Sequence, residues 1–588
     1  MQITFVGANH TVTGSKYLIE INGKSLLLEC GMHQGKRKES EHRNNCFPFD
    51  IDGLDAVILS HAHIDHSGNL PNLVKQGYQG PIFCTHATKD LCQYMLTDSG
   101  RIQERNVEYL NKRREKRGEE PVEPIYDEQD AINALSFFKG KDYYKEFEVF
   151  EGVTCTFYDA GHILGSALVH LTLHDSETGE TVKFLFTGDL GRPHLPILRD
   201  PDIARVPETD ILMIESTYGN KFHESIVEAQ DKLAEIINDT AAKGGKVIIP
   251  AFSLGRTQEI MYELHQLVDK EKIPAIPVFL DSPLAVNVTE VFRRHPECYD
   301  EEVKKLLEGD DHDILGFDNF KQTESVDESK ALNNFNGPCI IISSSGMCEH
   351  GRILHHLKNN IEDPRNTVMI VGYQAEYTLG RKLVRGETDV KIFDKMYQVK
   401  ARIEPMNYFS AHADRSDLLS FATGLKGVKR TFVVHGDTER STALKEALES
   451  NDMTNVVVPS WGEVYNLSIL QVDDYNEPDL RVACGGDIIY DEDGELASAD
   501  ESRLGGPGIP DNEGHNIFEK PEFQKNNRSK RKEAKKKKAE FKDGKRETVH
   551  SVGLKKEVEE NDFKKYPKGK YDNSSDKTSG FDSGGFDT

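Results

Sequence analysis

Three histidines and one aspartate fall within six residues of this chain, at His61-Ala-His63-Ile-Asp65-His66. They follow Ala56-Val-Ile-Leu-Ser60, an apolar run of strand length. Residues two apart on an extended chain point the same way, so His61 and His63 can hold one metal ion. A turn after them would carry Asp65 and His66 toward a second ion. The alternative, histidines hydrogen-bonded in the core or at the surface, does not account for so dense a cluster.

Further residues with metal-binding side chains lie just past other strand-like segments, at His162, Asp189 and His435. Zinc accepts imidazole and carboxylate ligands, and a carboxylate can bridge two ions. A structural zinc site would instead favour a closed, cysteine-rich shell, whereas this set offers only nitrogen and oxygen donors. The seven residues together predict a pair of zinc ions in a hydrolase.

The length and charge of the chain limit the alternatives. Its 588 residues can form two or three domains. Residues 1–514 carry 53 Lys+Arg against 85 Asp+Glu, so a polyanionic substrate would need a cleft made locally positive by metals and a few arginines. Nine cysteines without a C-x-x-C pair fit a reducing compartment. With no leader and no apolar run of about 18 residues, we expect a cytoplasmic protein without membrane contact.

The pattern of strands and helices changes along the chain. Strand-like segments joined by turns and short helices fill the first ~200 residues, and residues 90–135 have a charged, helical pattern. From about 210 strands alternate with helices, as in Lys246–Pro250 followed by a helix over about 256–269; this alternation predicts a parallel sheet covered by helices. Beyond about 495 the hydrophobic pattern is lost, so we expect a disordered tail.

The metal-binding motifs resemble those of a known family. His61-x-His63-x-Asp65-His66, His162 and Asp189 resemble the signature of the metallo-β-lactamase superfamily, and the segment between Asp189 and His435 resembles the β-CASP insertion of its nucleic-acid-processing branch. In their order and residue identity, the motifs are similar to those of bacterial and archaeal relatives of the nuclease subunit of the cleavage and polyadenylation factor. The matching pieces in the insertion are Ile214-Glu215-Ser216-Thr217-Tyr218-Gly219, Pro250-Ala-Phe252-Ser253-Leu-Gly255-Arg256-Thr-Gln258, Ser343-Ser-Ser345-Gly346-Met347, Phe409-Ser410-Ala411-His412 and Val434-His435-Gly436.

The resemblance covers roughly residues 1–470 and implies a fold. It implies an α/β protein: a metallo-β-lactamase αββα sandwich with an inserted β-CASP α/β domain, a parallel sheet with helices. The sandwich would comprise residues 1–209 and 393–470, and the insertion residues 210–392. Residues 471–588 would form a largely disordered C-terminal extension.

The resemblance also implies residue roles. His61, His63 and His162 would hold the first zinc ion, Asp65, His66 and His435 the second, and Asp189 would bridge them. The ions would share the hydroxide that attacks a phosphodiester, with Asp65 orienting it and taking its proton. His412 would be the general acid for the departing ribose oxygen and Glu215 its carboxylate partner. The products would be a 5′-phosphate and a 3′-hydroxyl.

Two further sets of residues are candidates around this site. Glu29-Cys30-Gly31 departs from the family's usual Asp-Cys-Gly; we expect Glu29 to support the metal site by hydrogen bonding with activity retained, an inactive variant being the alternative. Hydroxyls, amides and a guanidinium suited to phosphate oxygens come from loop residues, which could equally cap the following helices: Ser253, Arg256, Ser343, Ser344 and Ser345.

The function expected from these residues is a zinc-dependent ribonuclease, acting as an endonuclease, a 5′ exonuclease or both. A thioesterase- or lactonase-type hydrolase and a DNA-processing nuclease are alternatives, but an insertion of roughly 200 residues favours a large substrate. A non-catalytic scaffold would have lost metal ligands, and all seven are present. A basic run at 525–546 contains 12 Lys+Arg; it is either a solvated segment or a contact to RNA, a ribosome or a degradation complex. The oligomeric state is left open.

Overall fold

Two β-sheets packed face to face and covered by helices form the frame of the protein, and a third sheet is inserted between two of its strands. The computed structural model describes residues 1–469 except 36, 224–225, 309–312, 324, 376, 407 and 409, together with Tyr475–Asn476. The tail expected to be disordered, with its basic run at 525–546, lies outside these residues, as does Phe409.

The first part of the chain supplies most of the two packed sheets. Its strands are β1 (Gln2–Gly7), β2 (Lys16–Ile21), β3 (Lys24–Leu28), β4 (Leu54–Ile58), β5 (Ile82–Thr85), β6 (Phe138–Lys141), β7 (Phe147–Phe150), β8 (Val153–Asp159), β9 (Ala167–His174), β10 (Thr181–Phe186) and β11 (Ile211–Glu215). Its α-helices are α1 (Arg37–Asn45), α2 (Ile64–Ser67), α3 (Leu70–Lys75), α4 (His86–Glu115) and α5 (Glu128–Ala134), and 3₁₀ turns occupy Leu135–Phe137 and Ile203–Arg205.

The inserted part alternates strands with helices, as its sequence pattern predicted. Its strands are β12 (Lys246–Pro250), β13 (Val278–Leu280), β14 (Phe320–Gln322), β15 (Cys339–Ser343), β16 (Thr367–Ile370), β17 (Asp389–Ile392), β18 (Lys395–Gln398) and β19 (Arg402–Pro405). Its helices are α6 (Ile226–Ala242), α7 (Arg256–Asp269), α8 (Pro283–Arg294), α9 (Glu301–Glu308), α10 (Val326–Leu332), α11 (Ile353–Asn360) and α12 (Leu379–Val384), with a 3₁₀ turn at Pro296–Cys298. β17 and β18 form a separate hairpin, and the other six strands form one parallel sheet.

The chain then returns to the frame. The returning elements are α13 (Arg415–Gly424), β20 (Arg430–Val434), α14 (Thr438–Glu449), β21 (Val456–Val457), β22 (Val464–Asn466) and β23 (Tyr475–Asn476). The sheet orders are β23-β22-β1-β2-β3-β4-β5-β6 and β21-β20-β11-β10-β9-β8-β7 for the frame, and β14-β13-β15-β12-β16-β19 for the insertion. Within the described residues, no helix has both the length and the apolar character required to cross a membrane.

Alternating apolar residues explain why the two frame sheets pack together. Their inner faces bury a shared cluster that includes Phe5, Tyr17, Phe157, Phe186 and Phe432, and each such ring contributes about 1.5–3 kcal/mol when fully buried. Helices cover both outer faces with separate clusters: α3 and α4 pack on the first sheet, and α13 and α14 pack on the second. The expected αββα sandwich with an inserted α/β domain is confirmed.

The limits of the insertion differ from the expected 210 and 392. β11 pairs with β10 and β20 and so belongs to the sandwich, whereas β19 pairs with β16 in the inserted sheet. β11 is a short apolar strand, and such a run does not show which sheet it joins. β19, Arg402-Ile-Glu-Pro405, is too short and too polar for its sheet to be identified from the sequence. The first part of the sandwich therefore extends to Glu215, and the inserted sheet extends to Pro405.

Candidate metal centre

The densest histidine motif lies where β4 ends and α2 begins. The chain stays extended up to His63, which precedes the first helical residue, Ile64. Nε2 of His61 and Nδ1 of His63 consequently lie 3.1 Å apart. The helical turn at Ile64 then directs Asp65 and His66 to the other side of the site, as the spacing predicted.

The first cluster consists of His61, His63, His162 and Asp189. Nε2 of His162 lies 3.2 Å from Nδ1 of His63, and Oδ2 of Asp189 lies 3.5 Å from Nε2 of both His61 and His162. Four ligands held at about 2.0–2.1 Å around a tetrahedral zinc ion are separated by roughly 3.3–3.4 Å. The four atoms therefore have the spacing of a tetrahedral zinc shell.

The second cluster uses the other oxygen of Asp189. Oδ1 of Asp189 lies 3.3 Å from Nε2 of His66 and 3.5 Å from Nε2 of His435. Oδ2 of Asp65 lies 3.9 Å from each of these two nitrogens. This shell is wider than the first and leaves more room for an added ligand. Because its two oxygens face different clusters, the Asp189 carboxylate is placed to join two cations.

The electrostatics of the site fit cations. Nε2 of His66 and Oδ1 of Asp189 are buried without a hydrogen-bond partner, an arrangement that costs about 1–3 kcal/mol per group unless a ligand satisfies it. Burial lowers the pKa of His61 to about 3 and that of His63 to about 4, so both are neutral imidazoles with a free lone pair. Burial would raise the pKa of Asp189, but nearby His66 and His435 outweigh it and keep the carboxylate ionised.

Each ligand with its Nε2 in the site has a partner for its Nδ1. Nδ1 of His61 lies 2.9 Å from Oγ of Ser60, Nδ1 of His66 lies 2.9 Å from Oε2 of Glu29, and Nδ1 of His435 lies 3.0 Å from Oγ of Ser15. Nδ1 of His162 lies 3.4 Å from the carbonyl oxygen of Ala411. Donation from Nδ1 to these oxygens fixes the tautomer that presents Nε2 to a metal.

Three of these partners were missed by the sequence analysis: Ser15, Ser60 and Ala411. Ser60 directly precedes the first ligand, which is a weak signal for such a role. Ser15 lies 420 positions from His435, inside a Gly-rich segment that fits no motif, so no spacing rule could have paired them.

Glu29 supports the second cluster from behind. Its Oε2 accepts from Nδ1 of His66, and its Oε1 accepts from the backbone N–H of Ser60 at 2.7 Å. The residue has a left-handed φ of 64°, uncommon for a side chain of this size. It is fully buried, and burial raises its pKa. The longer carboxylate therefore spans from the end of β3 to both elements of the metal motif.

The expected acid–carboxylate pair is also brought together. Nδ1 of His412 lies 3.1 Å from Oε1 of Glu215 and 3.9 Å from Oδ2 of Asp189. Glu215 is fully buried at the end of β11 and also accepts from the backbone N–H groups of Leu190 and Thr217. Burial disfavours a charged His412, but Glu215 and then Asp189 outweigh it and raise the pKa of His412 to about 9.

The loop residues suggested for substrate binding lie at the carboxyl edge of the inserted sheet. Oγ of Ser253 lies 2.7 Å from Oγ of Ser344. Ser343 is buried and donates to the carbonyl of Asp281, and Oγ of Ser345 accepts from two backbone N–H groups of its own loop. The Arg256 guanidinium pairs with Glu259 at 2.5 Å. All five side chains therefore make bonds within the inserted domain, and Ser253 and Ser344 are in direct contact.

These loops approach the metal centre. A methyl group placed on Gly255 would lie 3.5 Å from Cγ2 of Ile163, the residue after His162. Arg192 donates from its guanidinium to the carbonyl of Tyr408 and from its backbone N–H to the carbonyl of Ala411. The inserted domain therefore approaches the loop that carries His162, and the segment that returns from it contacts the loop that follows Asp189.

Comparison with known proteins agrees with this geometry. Residues 12–222 match the metallo-beta-lactamase superfamily, residues 257–383 match the Beta-Casp domain, and residues 396–459 match the Zn-dependent metallo-hydrolase RNA specificity domain.

The curated relatives include Ribonuclease TTHA0252 of Thermus thermophilus, 34% identical over 76% of this chain and 96% of the relative. Others are an RNase J-like protein of Methanocaldococcus jannaschii, 31% identical over 79% of this chain and 99% of the relative, and Transcription termination factor FttA of Methanosarcina mazei, 29% identical over 78% and 71%. The two-cluster site, the three matched domains and these relatives show that the chain belongs to the β-CASP branch of the metallo-β-lactamase superfamily, as a metal-dependent hydrolase.

Proposed function

We propose that this chain is a ribonuclease that hydrolyses RNA phosphodiester bonds with two zinc ions. The observation that carries the proposal is the Asp189 carboxylate, whose two oxygens face separate ligand clusters, with the His412–Glu215 pair beside it. The matched RNA specificity domain and the relatives named as ribonucleases support RNA as the substrate.

The residues present suit the ions in number and chemistry. His61, His63 and His162 would hold one zinc ion, Asp65, His66 and His435 would hold the other, and Asp189 would contact both. The bound ions would supply Lewis acidity, lowering the pKa of a water and neutralising charge on a phosphate oxygen. Burial keeps His61 and His63 neutral. Ser60, Glu29 and Ser15 hold the orientation of His61, His66 and His435.

Asp65 and His412 would handle protons on the two sides of the scissile bond. Asp65 is about a quarter exposed, the most open carboxylate of the clusters, so it can orient a water and accept its proton. Nδ1 of His412 is held by Glu215, which leaves Nε2 to donate a proton to the departing ribose oxygen. Glu215 favours the protonated form of that imidazole, because its carboxylate lies 3.1 Å from Nδ1.

The inserted domain separates this proposal from a small-molecule hydrolase. A thioesterase or lactonase substrate needs only the metal shells, whereas here the loop from β19 to α13 crosses from the inserted sheet to the metal centre and carries His412. The assay below distinguishes RNA from DNA as the substrate. It also distinguishes endonucleolytic from 5′-exonucleolytic cleavage.

The test incubates purified protein with RNA labelled either at the 5′ end or internally, and with DNA of the same sequence, before and after removal of metal. We expect cleavage of RNA that stops on zinc depletion and returns with zinc. His412→Ala should abolish most cleavage while the bound zinc is retained. His355→Ala, an exposed histidine on α11, is the matched control and should cleave normally. RNA cleavage that survives complete zinc depletion would refute the proposal.

A further inference from the structure

The C-terminal half of α4 is not held by the protein core. The last buried residue of this 30-residue helix is Gly100, and the fifteen residues that follow have none. Among the described residues, this half bonds to α5 and to the segment after the helix: Arg101 pairs with Glu128, Asn111 exchanges hydrogen bonds with the backbone of Val122, and Arg114 donates to the carbonyl of Glu120. Helices in proteins are stabilised mainly by packing of an apolar face. A long helical extension without such packing indicates that the exposed surface of α4 has a binding role.

One face of this extension is basic. At 100° per residue, Arg105, Tyr109, Lys112 and Lys116 fall within about 60° of one another around the axis, and all four are exposed. Asn111 and Arg114, which bond to the return segment, lie on the opposite face. We call Arg105, Tyr109, Lys112 and Lys116 the α4 stripe.

The cations of the α4 stripe are available for an external partner. Neighbouring Arg101, Arg114 and Arg117 have carboxylate partners. In the described part of the chain Arg105, Lys112 and Lys116 form no direct ion pair, and the charge of Arg105 acts at longer range on the Asp98 carboxyl. Glu108 borders the stripe, about 40° beyond Lys112 around the axis, so this face of the helix keeps a net positive charge of about two. Residues 1–514 otherwise carry an excess of acidic side chains, which makes a positive face a local exception.

An aromatic ring lies among these cations. The Tyr109 side chain is 65% exposed, and the Arg113 guanidinium lies 5.7 Å from the centre of its ring. An exposed ring bordered by cations can stack on a nucleobase while the cations contact phosphates, and each stacked base contributes about 1–3 kcal/mol.

The α4 stripe is connected to the metal centre by the helix itself. The hydroxyls of Thr85 and Thr88, at the start of α4, donate to the carbonyl of Gly165, in the loop that carries His162. Farther along, Asp90 pairs with Arg294 and His295 of the inserted domain. With a rise of 1.5 Å per residue, the stripe begins about 25 Å along the helix from this loop and ends about 40 Å from it.

From these contacts we infer that the α4 stripe binds single-stranded RNA of the substrate at a distance from the cleaved bond. The inference rests on the proposed ribonuclease function and adds a second, remote contact to it. RNA long enough to reach both the metal centre and the stripe gains affinity from the remote contact, and RNA of a few nucleotides does not.

The test measures RNA binding in the His412→Ala background, which slows cleavage about 10²- to 10⁴-fold. The variant Arg105→Gln/Lys112→Gln/Lys116→Gln should bind a 30-nucleotide single strand roughly 10- to 100-fold more weakly at 0.1 M salt, and the slope of log Kd against log salt should fall by about 2. Tyr109→Ala should weaken binding without changing the slope. The control Lys243→Gln/Lys270→Gln/Lys358→Gln removes the same charge from three exposed lysines of the inserted domain and should bind as the parent does.

Cleavage of a six-nucleotide RNA provides the second readout. With His412 intact, the stripe variant should cleave this substrate at the parental rate, which also shows that the protein is folded. Equal binding losses in the stripe and control variants, or an unchanged salt slope, would overturn the inference. If the parent protein binds RNA through the α4 stripe but never cleaves it, the ribonuclease proposal would be contradicted and the RNA-binding role of the stripe would still hold.

Discussion

Replacement of Glu29 by glutamine tests whether this buried carboxylate prepares His66 for a metal ion. Glutamine keeps an oxygen for the backbone N–H of Ser60 but turns an amide donor toward Nδ1 of His66. Nδ1 would then accept, and the proton would move to Nε2, which lies 3.3 Å from Oδ1 of Asp189. The metal-free protein should also lose stability: burial disfavours a charged His66, but Asp189, Asp65 and Glu29 outweigh it and raise its pKa well above the usual value, and the variant removes one of these carboxylates.

Metal binding should suffer, because His66 must return to the other tautomer and loses a charge-assisted hydrogen bond worth about 1.5–3 kcal/mol. This corresponds to roughly 10- to 100-fold weaker binding of the second zinc ion. The shell of His61, His63 and His162 does not include this bond, so the first ion should bind as before. The side chain in Glu29→Asp is shorter by one methylene and can keep only one of the two hydrogen bonds of Glu29. Its affinity for the second zinc ion should therefore lie between that of the unaltered protein and that of Glu29→Gln.

The assay is a zinc titration of metal-free protein against a chromogenic chelator, which resolves the two binding steps. Glu263→Gln, at a buried carboxylate of the inserted domain, is the control and should match the unaltered protein. Two binding steps with unaltered affinities in Glu29→Gln would refute the role assigned to Glu29.

Three further predictions follow from other contacts. His412→Ala should lower kcat about 10²- to 10⁴-fold with both zinc ions retained; loss of metal in this variant, measured by elemental analysis, would contradict an acid role. Ser15→Ala should weaken the second zinc ion roughly 10-fold in the same titration, and an affected first ion would count against the assignment. Burial would raise the pKa of Asp281, but hydrogen bonds from His356, Ser329 and Thr323 outweigh it and hold the pKa below its usual value. The folded state therefore gains stability from the ionised Asp281 above about pH 4, and loses it as the pH falls toward the folded pKa. Asp281→Asn should lower the free energy of unfolding by about 3–5 kcal/mol at pH 7 and by less at pH 3.5 in urea titrations; an equal loss at both pH values would contradict this.

Local signals in the sequence were sufficient for much of the fold. β12 has the expected bounds, Lys246–Pro250, because a short apolar run is preceded by glycines and ended by proline. α7 occupies the expected residues, beginning directly after Gly255, whose φ of 77° suits the turn before a helix. The metal motif could be interpreted from spacing alone, since an extended segment and one helical turn set the directions of its side chains.

Long-range placement could not be derived in the same way. The apolar residues of β11 fit a buried strand in any sheet, and β19 is a partly exposed strand of four residues, Arg402-Ile-Glu-Pro405, so neither strand fixed the limits of the insertion in advance. The contact between Ser15 and His435 depends on the packing of β1 and β20, which no local pattern records. The left-handed Glu29 is likewise set by its surroundings, because its carboxylate has partners on two other segments.

The most direct test of the two-ion centre is the zinc content of the purified protein, measured together with that of Asp189→Asn. Both clusters use this carboxylate, Oδ2 in one and Oδ1 in the other. We predict two zinc ions per chain in the unaltered protein and weakened binding of both in the variant. A single zinc ion at saturation, or an Asp189→Asn protein that loses only one of two ions, would contradict a centre built around a shared carboxylate.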